Sequence, residues 1–213
     1  MLGLRLAIDT SGPRGTVGLF DDLRLLEAIQ LDPGKGYGLL LAPSVERALA
    51  HARRSAKELV RITVALGPGS FAGTRVAVSF AKGMAFATGA ALVGITSAQA
   101  LMFGVDATKM PVALIDAGRG HAYAGVGTEL FFGSDDEVRR FVIEHARGER
   151  VLVGNACDRF SELGAASAKR TFVDVSMLDL AARDLTPVSP EELVPAYVQP
   201  PRITLPRSAV LRT

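Results

Sequence analysis

Two apolar segments of this sequence resemble each other, and each ends in an aspartate followed by a glycine turn. The segments are LAIDTSG at 6–12 and VALIDAG at 112–118. Each is followed by an apolar stretch punctuated by glycine, which predicts a hairpin strand. The repetition predicts two lobes of similar architecture. The alternative is that so short a pattern recurs by chance.

Strands and helices alternate in both halves of the chain, which predicts the α/β class. The predicted strands are 4–9, 16–20, 25–30, 61–66, 91–95, 111–116, 123–126 and 150–153. The predicted helices are 39–54, 74–88, 98–103, 135–146, 158–163 and 177–184. Two such lobes are the layout of the actin, Hsp70 and sugar-kinase superfamily, an analogy at the level of the fold. We expect a duplicated actin-like fold with an N-terminal lobe at 1–107 and a C-terminal lobe at 108–213.

Composition and charge indicate the class of the protein and its cellular compartment. Of its 213 residues 48% are apolar and 22% are charged, as in globular proteins, and the net charge of +2 gives no strong field for unassisted nucleic-acid binding. The single cysteine, Cys157, excludes an intrachain disulfide and suits a reducing compartment. The first residues lack a signal-peptide pattern, and the most apolar stretch, 71–95, contains Arg75 and Lys82. We expect a cytoplasmic protein without a membrane span.

The strongest local motif is GPGSFAGTR at 67–75, between a predicted buried strand and a helix. Glycines permit positive φ angles, and N–H groups at a helix N-terminus favour anions. The motif lacks the spacing of a dinucleotide fingerprint and the Lys-Ser/Thr ending of a P-loop. The residues predicted to form a weak or vestigial nucleotide site are Asp9, Gly67, Gly69, Ser70 and Gly73. The alternative is that these glycines only make a tight turn and allow close helix packing.

The motif at 67–75 resembles the Gly-Pro-Gly-Ser-Phe-Thr-Gly-x-Arg signature of the TsaB (YeaZ) family. Further matches follow in family order: IDTS at 8–11, GITS at 94–97, DAGRGHAY at 116–123 and PAY at 195–197. The sequence differs from the family pattern at Ala72, at Gly36 and Tyr37, and at Gln199.

The resemblance implies a non-catalytic scaffold subunit in the formation of threonylcarbamoyladenosine on tRNA, beside the anticodon. It implies no cofactor, TsaD and the ATPase TsaE as partners, a homodimer in the absence of TsaD, and tRNA contact only through the complex. By the same resemblance, the first two long helices bind TsaD.

The sequence contains few candidate catalytic or metal-binding residues. The three histidines, His51, His121 and His145, lie far apart in the sequence, and the segment 96–101 lacks the histidine pair by which TsaD binds metal. Ser70 lies outside a nucleophile-elbow motif. We therefore predict no metal site, and weak or absent ATP binding, because the second lobe offers only Gly154 as a glycine-rich stretch for adenosine.

Two enzyme functions stay open as alternatives. One is an actin-like ATPase or carbamoyltransferase that uses Asp9, Ser70 and Asp116. The other is a peptidase-like protein.

The second long helix has small residues at every fourth position from Gly73 to Ala85. Such a stripe allows close approach of a partner helix, or alternatively packs on the chain's own sheet. The predicted exposed interface anchors are Leu41, Val45, Leu49, Val76, Ala77, Phe80, Ala81 and Met84. The proline-rich segment 195–202 predicts an extended tail, which with Arg202, Arg207 and Arg212 either touches RNA or a partner, or is solvated.

Overall fold

The computed structural model describes residues 3–32, 34, 36–167 and 170–198. The first sheet has the strand order β3-β2-β1-β4-β5. Its strands are β1 (Leu4–Asp9), β2 (Gly15–Asp21), β3 (Arg24–Leu31), β4 (Leu59–Ala65) and β5 (Ala91–Ile95). β1, β2 and β3 form an antiparallel meander, whereas β4 and β5 run parallel to β1.

The second sheet repeats this topology with the order β10-β9-β6-β7-β8. Its strands are β6 (Met110–Gly118), β7 (His121–Val126), β8 (Glu129–Ser134), β9 (Arg150–Val153) and β10 (Ala165–Ala166). The first three again form an antiparallel meander, and β9 and β10 again run parallel to the first strand. The predicted duplication is confirmed, and it includes two strands, β8 and β10, that the sequence patterns did not indicate.

In the described part of the chain, five α-helices cover the two sheets. They are α1 (Tyr37–His51), α2 (Phe71–Thr88), α3 (Ser97–Met102), α4 (Asp135–His145) and α5 (Val175–Ala181). The helix predicted at 158–163 is a 3-10 helix, Cys157–Leu163. Among the described residues, none of these helices combines the length and apolar composition that a membrane span requires.

The helices divide the core into three layers. α1 and α2 pack on one face of the first sheet, where Leu6 and Ile8 of β1 are fully buried. α3 and α5 cover the opposite face, and α3 also contacts β6 of the second sheet. α4 and the 3-10 helix cover the outer face of the second sheet. The two sheets therefore share a central apolar layer around α3.

Buried charges fasten α5 to the first sheet. Arg5 on β1 donates from Nη2 to Asp179 Oδ2 at 2.8 Å, and both side chains are less than 10% exposed, at 7% and 6%. Arg61 on β4 donates to the carbonyl oxygens of Ala182 and Arg183 just after the helix. Because a buried charge without a partner is strongly destabilising, these contacts fix the position of the C-terminal segment on the N-terminal sheet.

Candidate nucleotide cleft and partner surface

Asp9, the last residue of β1, lies in a closed hydrogen-bond network. Its side chain is 2% exposed, and Oδ1 accepts hydrogen bonds from the N–H and the hydroxyl of Ser11, both at 2.7 Å. The Ser11 hydroxyl lies 2.8 Å from the hydroxyl of Ser97 at the start of α3. Burial raises the pKa of the Asp9 carboxyl, although the hydrogen bonds from Ser11 act in the opposite direction. The carboxyl group thus links the end of β1 to α3.

The glycine loop lies directly on the turn that follows β1. A Cβ atom at Gly73 would overlap the carbonyl oxygen of Thr10, and one at Gly69 would overlap that of Ser11. Gly67 and Gly69 also have positive φ angles of 80° and 155°. These glycines are therefore required for close approach of the loop to the chain's own backbone.

Two N–H donors of this loop are used within the chain. The N–H of Ser70 donates to Ser11 O at 2.6 Å, and the N–H of Gly73 donates to the Ser70 hydroxyl at 3.2 Å as the N-cap of α2. The Thr10 hydroxyl donates to Gly73 O at 2.7 Å. The five residues predicted for a nucleotide site are therefore brought together, but two of the N–H groups suited to phosphate already have partners.

The space beside Asp9 is small. A cavity of about 30 Å³ separates Asp9 and Ser97 of the first lobe from Ile115 and Asn155 of the second. Such a volume corresponds to roughly one water molecule, whereas pockets for small ligands have about 300–1,000 Å³. An open groove of about 330 Å³ lies next to it and is lined by Arg14, Thr16, Gln30, Thr171, Phe172, Val173 and Asp174. Directly beside Asp9 the described residues thus leave room for about one water molecule, and the larger groove lies next to this space.

Asp116, the counterpart of Asp9 in the second lobe, is neutralised by an arginine. Arg159 forms ion pairs with Asp116 and Asp135 and donates to the carbonyl oxygen of His121. The His121 ring stacks on Phe132, with the ring centroids 5.4 Å apart. A carboxylate that is paired in this way is a poor ligand for a cation. Among the described residues, no three His, Cys, Asp or Glu side chains are grouped so that they could hold a metal ion.

Tyr37, one of the departures from the family pattern, has a structural role at the cleft. Its hydroxyl donates to Gly12 O at 2.9 Å, and its ring lies over Gly15, where a Cβ atom would meet the ring at 2.6 Å. Burial and the nearby charges of Asp9 and Asp32 raise the pKa of Tyr37 to about 12. Tyr37 therefore fixes the start of α1 against the β1–β2 turn. Gln199 lies outside the described residues.

The structure corrects part of the predicted partner surface. Five of the eight predicted anchors are buried in the chain's own core, with at most 8% of each residue exposed: Leu41, Val45, Leu49, Ala77 and Ala81. The prediction that they are exposed anchors is wrong. The small-residue stripe of α2 faces the first sheet, because the apolar face of that sheet must be covered by its own helices.

The other predicted anchors, Val76, Phe80 and Met84, are partly exposed on α2. The structure adds two exposed residues that the sequence patterns did not single out, namely Leu39 of α1 at 75% and Phe86 of α2 at 90% exposure. Gly83 has open space where a side chain would be. Positions 76, 79, 83 and 86 follow helical spacing and are occupied by Val, Ser, Gly and Phe, so this line along the outer side of α2 is uncharged and has little side-chain bulk apart from Phe86. We call the outer sides of these two helices the α1–α2 face.

A family model described as TsaD, tRNA N6-adenosine threonylcarbamoyltransferase, matches residues 35–173, more than half of the chain. The chain belongs to this family. The matched region includes α1, α2 and all five strands of the second sheet. Both helices of the α1–α2 face therefore lie within the matched region.

Two relatives indicate which type of protein within the family this chain resembles. The TsaB protein of Escherichia coli is 28% identical, covering 86% of this chain and 84% of the relative. The TsaB protein of Bacillus subtilis is 26% identical, covering 80% of this chain and 89% of the relative. Both are described as tRNA threonylcarbamoyladenosine biosynthesis proteins. The predicted resemblance to the TsaB (YeaZ) type is confirmed.

Solved structures support the fold. YeaZ from Pseudomonas aeruginosa superposes with a TM-score of 0.75 at 20% identity, covering 92% of this chain and all of that chain (100%). The ethanolamine utilization protein EutJ from Carboxydothermus hydrogenoformans has a TM-score of 0.52 at 11% identity, covering 85% of this chain and 90% of that one. The chain has the actin-like fold that the duplicated sequence pattern predicts.

Proposed function

We propose that this TsaB-type chain is a non-catalytic subunit of the machinery that forms threonylcarbamoyladenosine on tRNA, and that it binds and activates TsaD. The observation that carries the proposal is the closed cleft at Asp9, where the glycine loop is docked on the chain's own backbone and the cavity has only about 30 Å³. A site with room for about one water molecule beside its first carboxylate, and with its second carboxylate paired with Arg159, is poorly suited to phosphoryl or carbamoyl transfer.

The α1–α2 face is the proposed TsaD contact. Exposed apolar residues that cluster on a surface mark sites of protein association, and Phe86 is almost entirely exposed. Because TsaD has the corresponding helices, the two chains can meet through equivalent faces related by an approximate two-fold axis. The same geometry allows two copies of this chain to pair when TsaD is absent. TsaE and tRNA then join the complex, with tRNA held largely by the partner.

The contact is tested by a charge on the face and a matched charge elsewhere. Phe86→Asp places a carboxylate on the α1–α2 face, and Ile143→Asp changes an exposed residue of α4, which is 51% exposed in the second lobe. We expect Phe86→Asp to raise the Kd for TsaD by roughly 30-fold or more, as for loss of a central apolar contact, and to leave the melting temperature unchanged. Ile143→Asp leaves both unchanged.

The readouts are calorimetric titration with TsaD, thermal melting of each variant and tRNA modification in the reconstituted system. If folded Phe86→Asp binds TsaD with normal affinity, the α1–α2 face is not the surface that contacts TsaD. The substitution Val45→Asp is no test of this surface, because Val45 is 2% exposed and a charge there would disrupt the core.

A further inference from the structure

Phe71 and Arg75 of the glycine motif meet Tyr197 of the C-terminal segment in one surface cluster. The rings of Phe71 and Tyr197 have their centroids 5.7 Å apart, and the Arg75 guanidinium lies 4.4 Å from the Phe71 ring centroid. Arg75 Nε also donates to the Tyr197 hydroxyl at 3.2 Å. Two conspicuous motifs of the sequence, far apart along the chain, therefore form a single arrangement that the closed cleft does not use.

The cluster is presented to solvent. Phe71 is 44% exposed and Tyr197 is 50% exposed. The segment that carries Tyr197 is held in place, because the N–H of Ala196 donates to Leu66 O at 2.8 Å. The aromatic rings are thus fixed on the surface by backbone contacts, with part of each ring left uncovered.

The charge beside the rings is uncompensated. Lys82 lies seven residues, or about two helical turns, after Arg75, so both side chains are on one flank of α2. Neither is paired with a carboxylate anywhere in the described part of the chain. Lys82 and Phe86 are four residues apart on the helix, so this flank adjoins the Phe86 edge of the α1–α2 face.

The sequence has further charge of the same sign after Tyr197, in residues that lie outside the described part of the chain. Residues 199–213 contain Arg202, Arg207 and Arg212 and no acidic residue. They follow Val198 directly, so this basic segment begins two residues after Tyr197 in the chain.

We propose that Phe71, Arg75, Lys82 and Tyr197 form a binding platform for tRNA, in which an unstacked base packs on the rings and the cations contact phosphates. Proteins bind single-stranded RNA by the same combination of aromatic stacking and a basic surface. An acidic protein segment would use the cations and leave the two rings without a role, and RNA uses both. The assignment rests on the proposed function in tRNA modification, and it replaces purely indirect tRNA contact with direct contact at this flank.

The test uses the full chain, alone and mixed with TsaD, and measures binding of a fluorescent tRNA transcript between 50 and 200 mM salt, a range over which phosphate contacts have a large effect. Tyr197→Ala is expected to weaken binding by about 5- to 100-fold, the range for the loss of one stacked base, while Tyr197→Phe retains most of it. The double variant Arg75→Gln, Lys82→Gln is expected to reduce the slope of log K against log salt by about 1 to 2.

A control removes the same charge from another surface. Arg140→Gln with Arg147→Gln changes two exposed arginines at the α4 end of the second lobe, and we expect the salt slope to stay within about 0.5 of the unmodified chain. Equal loss in both double variants, or tRNA affinity unaffected by Tyr197→Ala, would overturn the platform. Co-elution with TsaD is measured on the same samples: its absence would overturn the proposed partner function, and its presence with unchanged tRNA binding would overturn the platform alone.

Discussion

At the residue scale, the most informative side chain is Asp9, because its position invites a catalytic interpretation and its contacts favour a structural one. In the described structure the carboxyl group accepts two hydrogen bonds from Ser11 and is almost completely buried. An aspartate at a strand end also commonly fixes the following turn. A catalytic role and a structural role predict different effects of a substitution that removes the charge of Asp9 and keeps the shape of its side chain.

Asp9→Asn makes that change, since the amide oxygen still accepts from Ser11. Burial raises the folded-state pKa of Asp9 above its ordinary value of 3.8, so this carboxyl group contributes stability below that pH and loses the contribution as the pH rises through the raised value. We therefore expect Asp9→Asn to melt at a higher temperature than the unmodified chain at neutral pH, with the difference shrinking as the pH falls through the raised pKa toward 3.8.

The tRNA modification assay separates the alternatives for Asp9. A scaffold role predicts that Asp9→Asn supports modification at the unmodified rate. A catalytic carboxylate predicts a loss of about 100-fold or more, as for removal of a general acid or base. If a well-folded Asp9→Asn chain does not support tRNA modification, the Asp9 carboxylate takes part in catalysis.

At the element scale, the sequence predicted the order of most helices and strands because apolar periodicity and glycine turns are local signals. It missed β8, since Glu129–Ser134 is half-exposed and does not alternate clearly between apolar and polar residues. It also missed how α5 is held: Arg5 and Arg61 interrupt apolar strands, and only the fold reveals their partners near Asp179 and Ala182.

The same limit explains why part of the predicted partner surface was wrong. Helical spacing correctly identified α1 and α2 as amphipathic, but spacing alone does not say which side meets the sheet. The structure assigns the Ala77 and Ala81 side to the first sheet and the Phe86 side to solvent. The glycine loop could be located from the sequence, whereas its contact with Thr10 and Ser11 joins elements that are about 60 residues apart.

Two glycines of α2 provide a matched test of the element's packing. Gly73→Ala places a methyl group against Thr10 O, so the start of the helix must move away from the β1–β2 turn. Gly83→Ala places it in open space. We expect Gly73→Ala to lower the free energy of unfolding by about 2–4 kcal/mol and Gly83→Ala to raise it by up to about 1 kcal/mol, both measured by urea denaturation. Similar small changes in both variants would contradict the docked loop.

At the scale of the whole molecule, the fold repeats one layout twice and closes the space between the copies. α3 and α5 fill the layer beside the first sheet, and the cleft residues of both lobes are paired within the chain. What remains accessible is surface, namely the α1–α2 face and the aromatic, basic flank that adjoins it at Phe86. A chain built in this way is suited to hold partners together, and catalysis is then expected in TsaD.

Reconstituted modification of transcript tRNA tests that account most directly, with TsaD, TsaE and the other pathway proteins present and this chain or TsaD left out in turn. The account predicts that modification is lost when either is omitted and is restored by adding the missing protein, with Asp9→Asn restoring it as well as the unmodified chain does. Modification that proceeds without this chain, or threonylcarbamoyl transfer by this chain without TsaD, would contradict it.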